Sequence, residues 1–216
     1  METNTEPSEK SLNKRGVLFT LIAVAFMDYV SIGLVYPLFT SLIFDPNANF
    51  LPTDASQALR GLSLGVLFSL MPLVQFFSAP LLGAVSDAKG RKSVLTMTLF
   101  IGLLGYCIAV LGVHFERLSL LIFSRIMLGI SGGSAAVVQA ILSDIGSKEE
   151  KPRYFSLFNM ALGAGLTVGP FLGGKLSSPE FFSIGSYELP FWFAAWAIFC
   201  NLLLVLCLLK SEKKEN

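Results

Sequence analysis

Six stretches of about 20 residues, each apolar almost throughout, recur along this chain and leave few folds open to it. They run about Val17–Phe44, Gly61–Leu82, Ser93–Val113, Leu118–Leu142, Tyr154–Leu176 and Pro190–Leu209. A helix of about 20 residues crosses the hydrocarbon layer of a bilayer. Inside that layer every backbone N–H and C=O must be paired within the protein, so only helices or closed barrels cross. The runs are continuously apolar rather than alternating, which excludes barrel strands. With 53% hydrophobic and only 14% charged residues, the chain is also far from the composition of a soluble domain, roughly a quarter of which is charged. The expected fold class is all-α: a bundle of six transmembrane helices over residues 17–209, with polar tails at 1–16 and 210–216.

Basic residues orient the bundle, because cytoplasmic segments carry the excess of Lys and Arg. Lys10, Lys14, Arg15, Lys89, Arg91, Lys92, Lys148, Lys151, Arg153, Lys210, Lys213 and Lys214 fall on one side, and only Arg60, Arg117 and Lys175 on the other. Both termini are therefore expected in the cytoplasm. Tyr187, Trp192 and Trp196 fall near the outer end of helix six, where amphipathic rings favour the headgroup layer. Met1–Arg15 is polar and the apolar run after it is longer than a signal-peptide core, so no cleavable signal is expected.

Several function classes drop out. A net charge of +1 offers no basic excess for nucleic acid. Cys107, Cys200 and Cys207 all lie in apolar runs and read as small apolar residues rather than a disulfide framework. No metal-ligand cluster, nucleophile–histidine pairing or cofactor loop is apparent, so neither an enzyme nor a bound cofactor is expected. Most loops are short, which makes consecutive helices antiparallel neighbours. The exception, Asp45–Leu59, has turn signals at Asp45-Pro46-Asn47 and Leu51-Pro52-Thr53-Asp54. It reads as a solvated loop, with a cap over a vestibule as the alternative, and His114 reads as a solvated residue of another outer loop.

Two ionisable residues lie inside the apolar runs. Asp28 is about 16 Å into helix one and Arg125 about 10 Å into helix four, at 1.5 Å per residue. A charge there costs at least ~2.5 kcal/mol on insertion scales, so it needs a partner or a wet cavity. One reading is a proton-exchanging carboxylate with a cationic modulator, since burial and a nearby cation pull proton affinity in opposite directions. The other is a mutual salt bridge that only ties helix one to helix four. Gln75, Gln139 and Asn159 either line a substrate path or make interhelical hydrogen bonds. Gly83 and Gly90 bracket a tight turn between helices two and three, with Asp87, Arg91 and Lys92 beside them. It is not a phosphate-binding loop, because Gly90 is followed by Arg91 and no strand precedes it. On helix five, Gly165, Gly169 and Gly173 recur every four residues and make a face that another helix can approach backbone to backbone. Pro170 removes one helical hydrogen bond there. Gly129, Gly132 and Gly133 on helix four read as plain packing.

Gly83, Asp87, Gly90, Arg91 and Lys92 together resemble the G-x-x-x-D-x-x-G-R-K/R loop of the major facilitator superfamily. Arg125 and Gly129 resemble its R-x-x-x-G motif, in which the arginine is implicated in proton coupling. Gly165, Gly169, Pro170, Gly173 and Gly174 are similar to the helix-five motif of drug:proton antiporters. Asp28, Gly33 and Pro37 are similar to the first helix of tetracycline-efflux proteins. The resemblance covers nearly the whole chain and is to the N-terminal six-helix half of such a carrier. It implies that Arg91 pairs with Asp144, and that Asp87 faces a helix end in a second half. It also implies that the helix-five glycine face meets that half, and that transport is driven by the proton gradient without a cofactor.

The implied partners are a lipid bilayer, a small amphipathic substrate and a second six-helix half or second copy, with a bacterial inner membrane as the setting. The superfamily pattern has twelve helices, and alternating access needs two bundles around a midplane site. Two other readings therefore stand beside efflux: an interrupted-gene product without transport, and a membrane scaffold or regulator. Within the family, metabolite uptake is the alternative that the helix-five motif disfavours.

Overall fold

The computed structural model describes residues 6–45, 48–177 and 187–208, with side chains from Lys14 onward. Seven helices follow in order: α1 (Glu6–Phe44), α2 (Gln57–Lys89), α3 (Arg91–His114), α4 (Leu118–Gly132), α5 (Ser134–Ile145), α6 (Lys151–Ser177) and α7 (Leu189–Leu208). The fourth apolar run supplies both α4 and α5, so six spans are long and apolar enough to cross a membrane. The predicted turn at Pro46–Asn47, the last residue of helix six at Leu209, and the tail segments 1–5 and 210–216 lie outside the described residues.

Three boundaries differ from the sequence expectation, each for a local reason. α1 begins at Glu6, inside the expected tail. α2 runs through Gly83 to Lys89, because no strong breaker interrupts Ala84–Lys89. At 33 residues it is about 50 Å long, well beyond the hydrocarbon thickness, and its end projects from the membrane. Gly83 is thus helical, with open space where a side chain would go. Gly90 alone makes the turn into α3, at φ +94°.

The third difference is the break between α4 and α5 at Gly133. The N–H groups of Gly133 and Ala136 donate to the carbonyls three residues back, Ile130 O and Gly133 O, both at 3.1 Å. This tightening leaves the carbonyls of Gly129 and Gly132 without the usual helical donor. Two side chains of α2 supply one each: Ser78 Oγ donates to Gly129 O at 3.0 Å and Gln75 Nε2 to Gly132 O at 3.0 Å. The glycines make room for this. A Cβ on Gly129 would sit 2.6 Å from Val74 Cβ, and one on Gly133 would sit 2.5 Å from Leu82 Cδ1.

The outer connection is more than a solvated loop. Phe50 is buried in the core, Asn49 Nδ2 donates to Glu116 Oε2 at 2.8 Å, and Tyr187 donates to Asp45 Oδ2 at 3.0 Å. Arg60 Nη1 closes the same end on Ile43 O at 2.6 Å. His114 is exposed, ends α3 rather than lying in a loop, and faces Glu188 at 3.1 Å.

The interior is layered. One apolar cluster gathers Leu34, Phe39, Leu42, Tyr106, Leu121, Leu128 and Phe191 toward the His114 end. A second gathers Leu21, Val24, Leu82, Leu99, Val137, Phe158 and Val205 toward the Gly90 end. The residues between them on each helix are polar or small: Asp28 and Ser31 on α1, Gln75 and Ser78 on α2, Gly102 on α3, Ser131 and Ser134 at the break, Gly165 on α6 and Asn201 on α7. A polar sheet therefore cuts across the middle of the bundle. Lipid cannot satisfy these groups, so they must satisfy one another.

Candidate functional site

Asp28 lies in this middle layer, half-buried, at a cleft lined by Tyr29 and Ile32 of α1, Gln75 of α2, Gly132 of α4, Ser134 and Ala135 of α5, and Phe158 of α6. Its carboxylate is held from two helices. Asn201 Nδ2 donates to Asp28 Oδ1 at 2.8 Å, and the Ser134 hydroxyl at the first turn of α5 also hydrogen-bonds to it. A helix N-terminus presents unpaired N–H groups and positive dipole, which suits a carboxylate. The break at Gly133 thus does two things: it creates that N-terminus in mid-membrane and opens the cleft beside it.

Arg125 on α4 is 2% exposed and sits among apolar residues. Its guanidinium lies over the Phe39 ring, 4.7 Å from the centroid. Tyr106 on α3 is buried within electrostatic reach of both Arg125 and Asp28, and Tyr36 is near Arg125 as well. Arg125 Nε and Nη2 have no hydrogen-bond partner among the described residues. The mutual salt bridge is not what the structure shows, since no ion pair joins Asp28 to Arg125 among the described residues. α1 and α4 are not locked by charge; the aspartate is satisfied from α5 and α7 instead.

Of the three polar candidates for a cavity, only Gln75 reaches the cleft, and it also bonds Gly132 O. Gln139 and Asn159 are exposed and line nothing there. Gln139 follows the cleft residue Val138, and one helical step turns it about 100° away. Asn201, Ser134 and Ser78 were missed by the sequence reading. Asn201 had a usable signal: it is the only amide, hydroxyl or charged side chain in α7.

At the Gly90 end, Arg91 collects three partners. Its Nε meets Asp144 Oδ2 at 3.0 Å, Nη2 meets Asp87 Oδ1 at 2.5 Å, and Nη1 donates to Ser86 Oγ at 2.6 Å. Lys92 Nζ donates to Leu206 O at 3.0 Å. Arg91 therefore ties α3 to the ends of α2 and α5, as the resemblance implied for Arg91 and Asp144. On the same face Lys14 pairs with Glu150, and the ammonium holds that carboxyl down at about 2.

The glycine face of α6 requires a correction. Gly165, Gly169 and Gly173 are buried against α1 of the same bundle, not turned toward a second one. A Cβ on Gly165 would sit 2.8 Å from Tyr29 Cβ, one on Gly169 2.6 Å from Val30 O, and one on Gly173 2.1 Å from Leu34 O. Gly33 of α1 completes the seam, with Gly169 Cα 3.3 Å from where its own Cβ would be. Small residues on both helices let the backbones touch, which is how helices associate where apolar burial gives no advantage over lipid. Pro170 and Gly174 lie on the other, exposed side of α6 with Met160, Thr167 and Phe171.

The profile of the Major Facilitator Superfamily matches residues 18–216. The chain belongs to that superfamily. Among curated proteins it is 33% identical over 207 residues to the class H tetracycline resistance protein of Pasteurella multocida, covering 94% of this chain and 46% of that protein. The class C tetracycline resistance protein of Escherichia coli is 33% identical over 203 residues, covering 94% and 47%. Major facilitator superfamily domain-containing protein 10 of Mus musculus is 30% identical over 152 residues, 70% of this chain and 31% of that protein. The chain thus spans about half the length of the tetracycline resistance proteins it matches. As a major facilitator half of the tetracycline-efflux type, it is an integral multi-pass membrane protein of a transporter family.

Proposed function

We propose that this chain is one six-helix half of a proton-coupled efflux carrier for small amphipathic compounds. The observation that carries the reading is the placement of Asp28: an acid in mid-membrane, at a cleft on the side that the bundle leaves open. The most apolar stretches of α2 and α6 are 17% and 22% buried, against 44% to 56% for the other four spans. A second bundle, whether from further sequence, another chain or a second copy, would cover that side and close the cleft into a cavity. The likeness to tetracycline resistance proteins supports efflux over uptake.

On this reading Asp28 exchanges the coupling proton and Arg125 modulates it. The Arg91 cluster with Asp87 and Asp144 holds one conformation at the cytoplasmic face. The basic excess assigns the Gly90 end to the cytoplasm, and the relatives favour a bacterial inner membrane. The protein acts as a carrier rather than an enzyme. The test is efflux of a fluorescent cationic dye from cells expressing these 216 residues. Export that collapses with an uncoupler, and that Asp28→Asn abolishes while insertion persists, is the expected result. Unchanged export in Asp28→Asn removes the coupling role. No export from a correctly inserted native chain means that this half does not transport alone.

A further inference from the structure

Asn201 is fully buried on α7, in the polar layer, and both bonds it makes to α1 come from one nitrogen. Nδ2 donates to the backbone carbonyl of Val24 at 3.1 Å and to Asp28 Oδ1, one helical turn further along, at 2.8 Å. The amide oxygen has no partner among the described residues. This arrangement settles which way the amide faces. A backbone carbonyl can only accept, so the NH2 group must point at α1 whatever the protonation state of the acid. Rotating the amide would put its oxygen against Val24 O, two acceptors facing each other in a low-dielectric interior. Asn201 is thus an anchored donor. It fixes one carboxyl oxygen of Asp28 and leaves the other for the cleft and Ser134.

We propose that Asn201 is a positioning residue for Asp28: it sets the rotamer of the carboxyl and how readily that carboxyl exchanges a proton. This rests on the reading of Asp28 as the proton-exchanging group. The other groups around Asp28 cannot take over this task. Tyr29 on α1 and Tyr106 on α3 are phenols that make no printed-length bond to it, while Arg125 on α4 forms no ion pair with it. The cleft residues of α2, α5 and α6 (Gln75, Ser134, Phe158) are uncharged. Only Asn201 is tied at once to the α1 backbone and to the acid.

The test reads the carboxyl directly in the purified chain in lipid nanodiscs, by infrared spectroscopy across pH, with Asp28→Asn used to assign the band. In Asn201→Leu the carboxyl C=O stretch is expected at higher frequency, because the donor that weakens it is gone. The proton affinity of Asp28 should change by about tenfold, the worth of one hydrogen bond to a charged group. Asn201→Gln, which keeps an amide donor, should move both values back toward native. Asn201→Ala needs no new volume and serves in place of Asn201→Leu where that variant does not insert. A band and titration that stay at their native positions in the Leu or Ala variant overturn the assignment. A shifted band in a chain that exports nothing leaves Asn201 in its role and removes only the carrier reading.

Discussion

Asp28 and Arg125 look alike in sequence, each a lone ionisable residue in an apolar run, yet the bundle treats them in opposite ways. Asp28 lies in the polar middle layer and receives donors from α7 and α5. Arg125 lies beside Leu121 and Leu128 in the apolar layer toward the His114 end, stacked on Phe39, with two of its nitrogens unpaired. A half-buried, bonded acid contributes to the packing of the helices around it. A buried guanidinium with unpaired donors costs free energy, which the ring beneath offsets only in part. The difference teaches that one residue is integrated in this conformation, while the other is held in reserve for a partner it does not have here.

This contrast can be broken by measuring thermal unfolding of purified variants through their helical signal. The largest effect is expected for Asp28→Leu, which strands an N–H of Asn201 and the Ser134 hydroxyl. The cost is about 1–3 kcal/mol for each buried group left unsatisfied. Arg125→Met, of similar length but apolar, should do the reverse and raise stability by about 1–2 kcal/mol, as replacing buried charge by packed apolar groups often does. If Arg125→Met destabilises as much as Asp28→Leu, the guanidinium is fully bonded and the contrast collapses. The smallest effect sharpens the picture: Phe39→Leu should cost about 1 kcal/mol of cation–π attraction in the native chain. That part of the loss should vanish in the Arg125→Met background, and a double-mutant cycle without coupling would remove the ring from the account.

Much of this was legible in the chain itself. Six apolar runs of bilayer length admit only helices, and no tertiary information is needed for that step. The small-residue spacing on α6 announced a close helix contact, and the loop motif with Asp144 anticipated the Arg91 cluster. The partner of the α6 seam was not legible. Gly165, Gly169 and Gly173 say that some backbone comes close; only the fold says that it is Gly33 and Leu34 of α1.

The same limit explains the rest. In a soluble helix the apolar stripe marks the inward face, but a membrane helix is apolar all round, and its periodicity does not reveal which neighbour each side meets. Sequence alone therefore determined the number of spans, their continuity in lipid and the presence of two costly ionisable residues within them. The tertiary structure decided that Gly83 is helical, that the fourth span breaks at Gly133, that α2 side chains cap the broken turn, and that Asp28 answers to Asn201 rather than to Arg125. Those choices depend on the relative register and rotation of helices, which are set by packing between segments far apart in the chain.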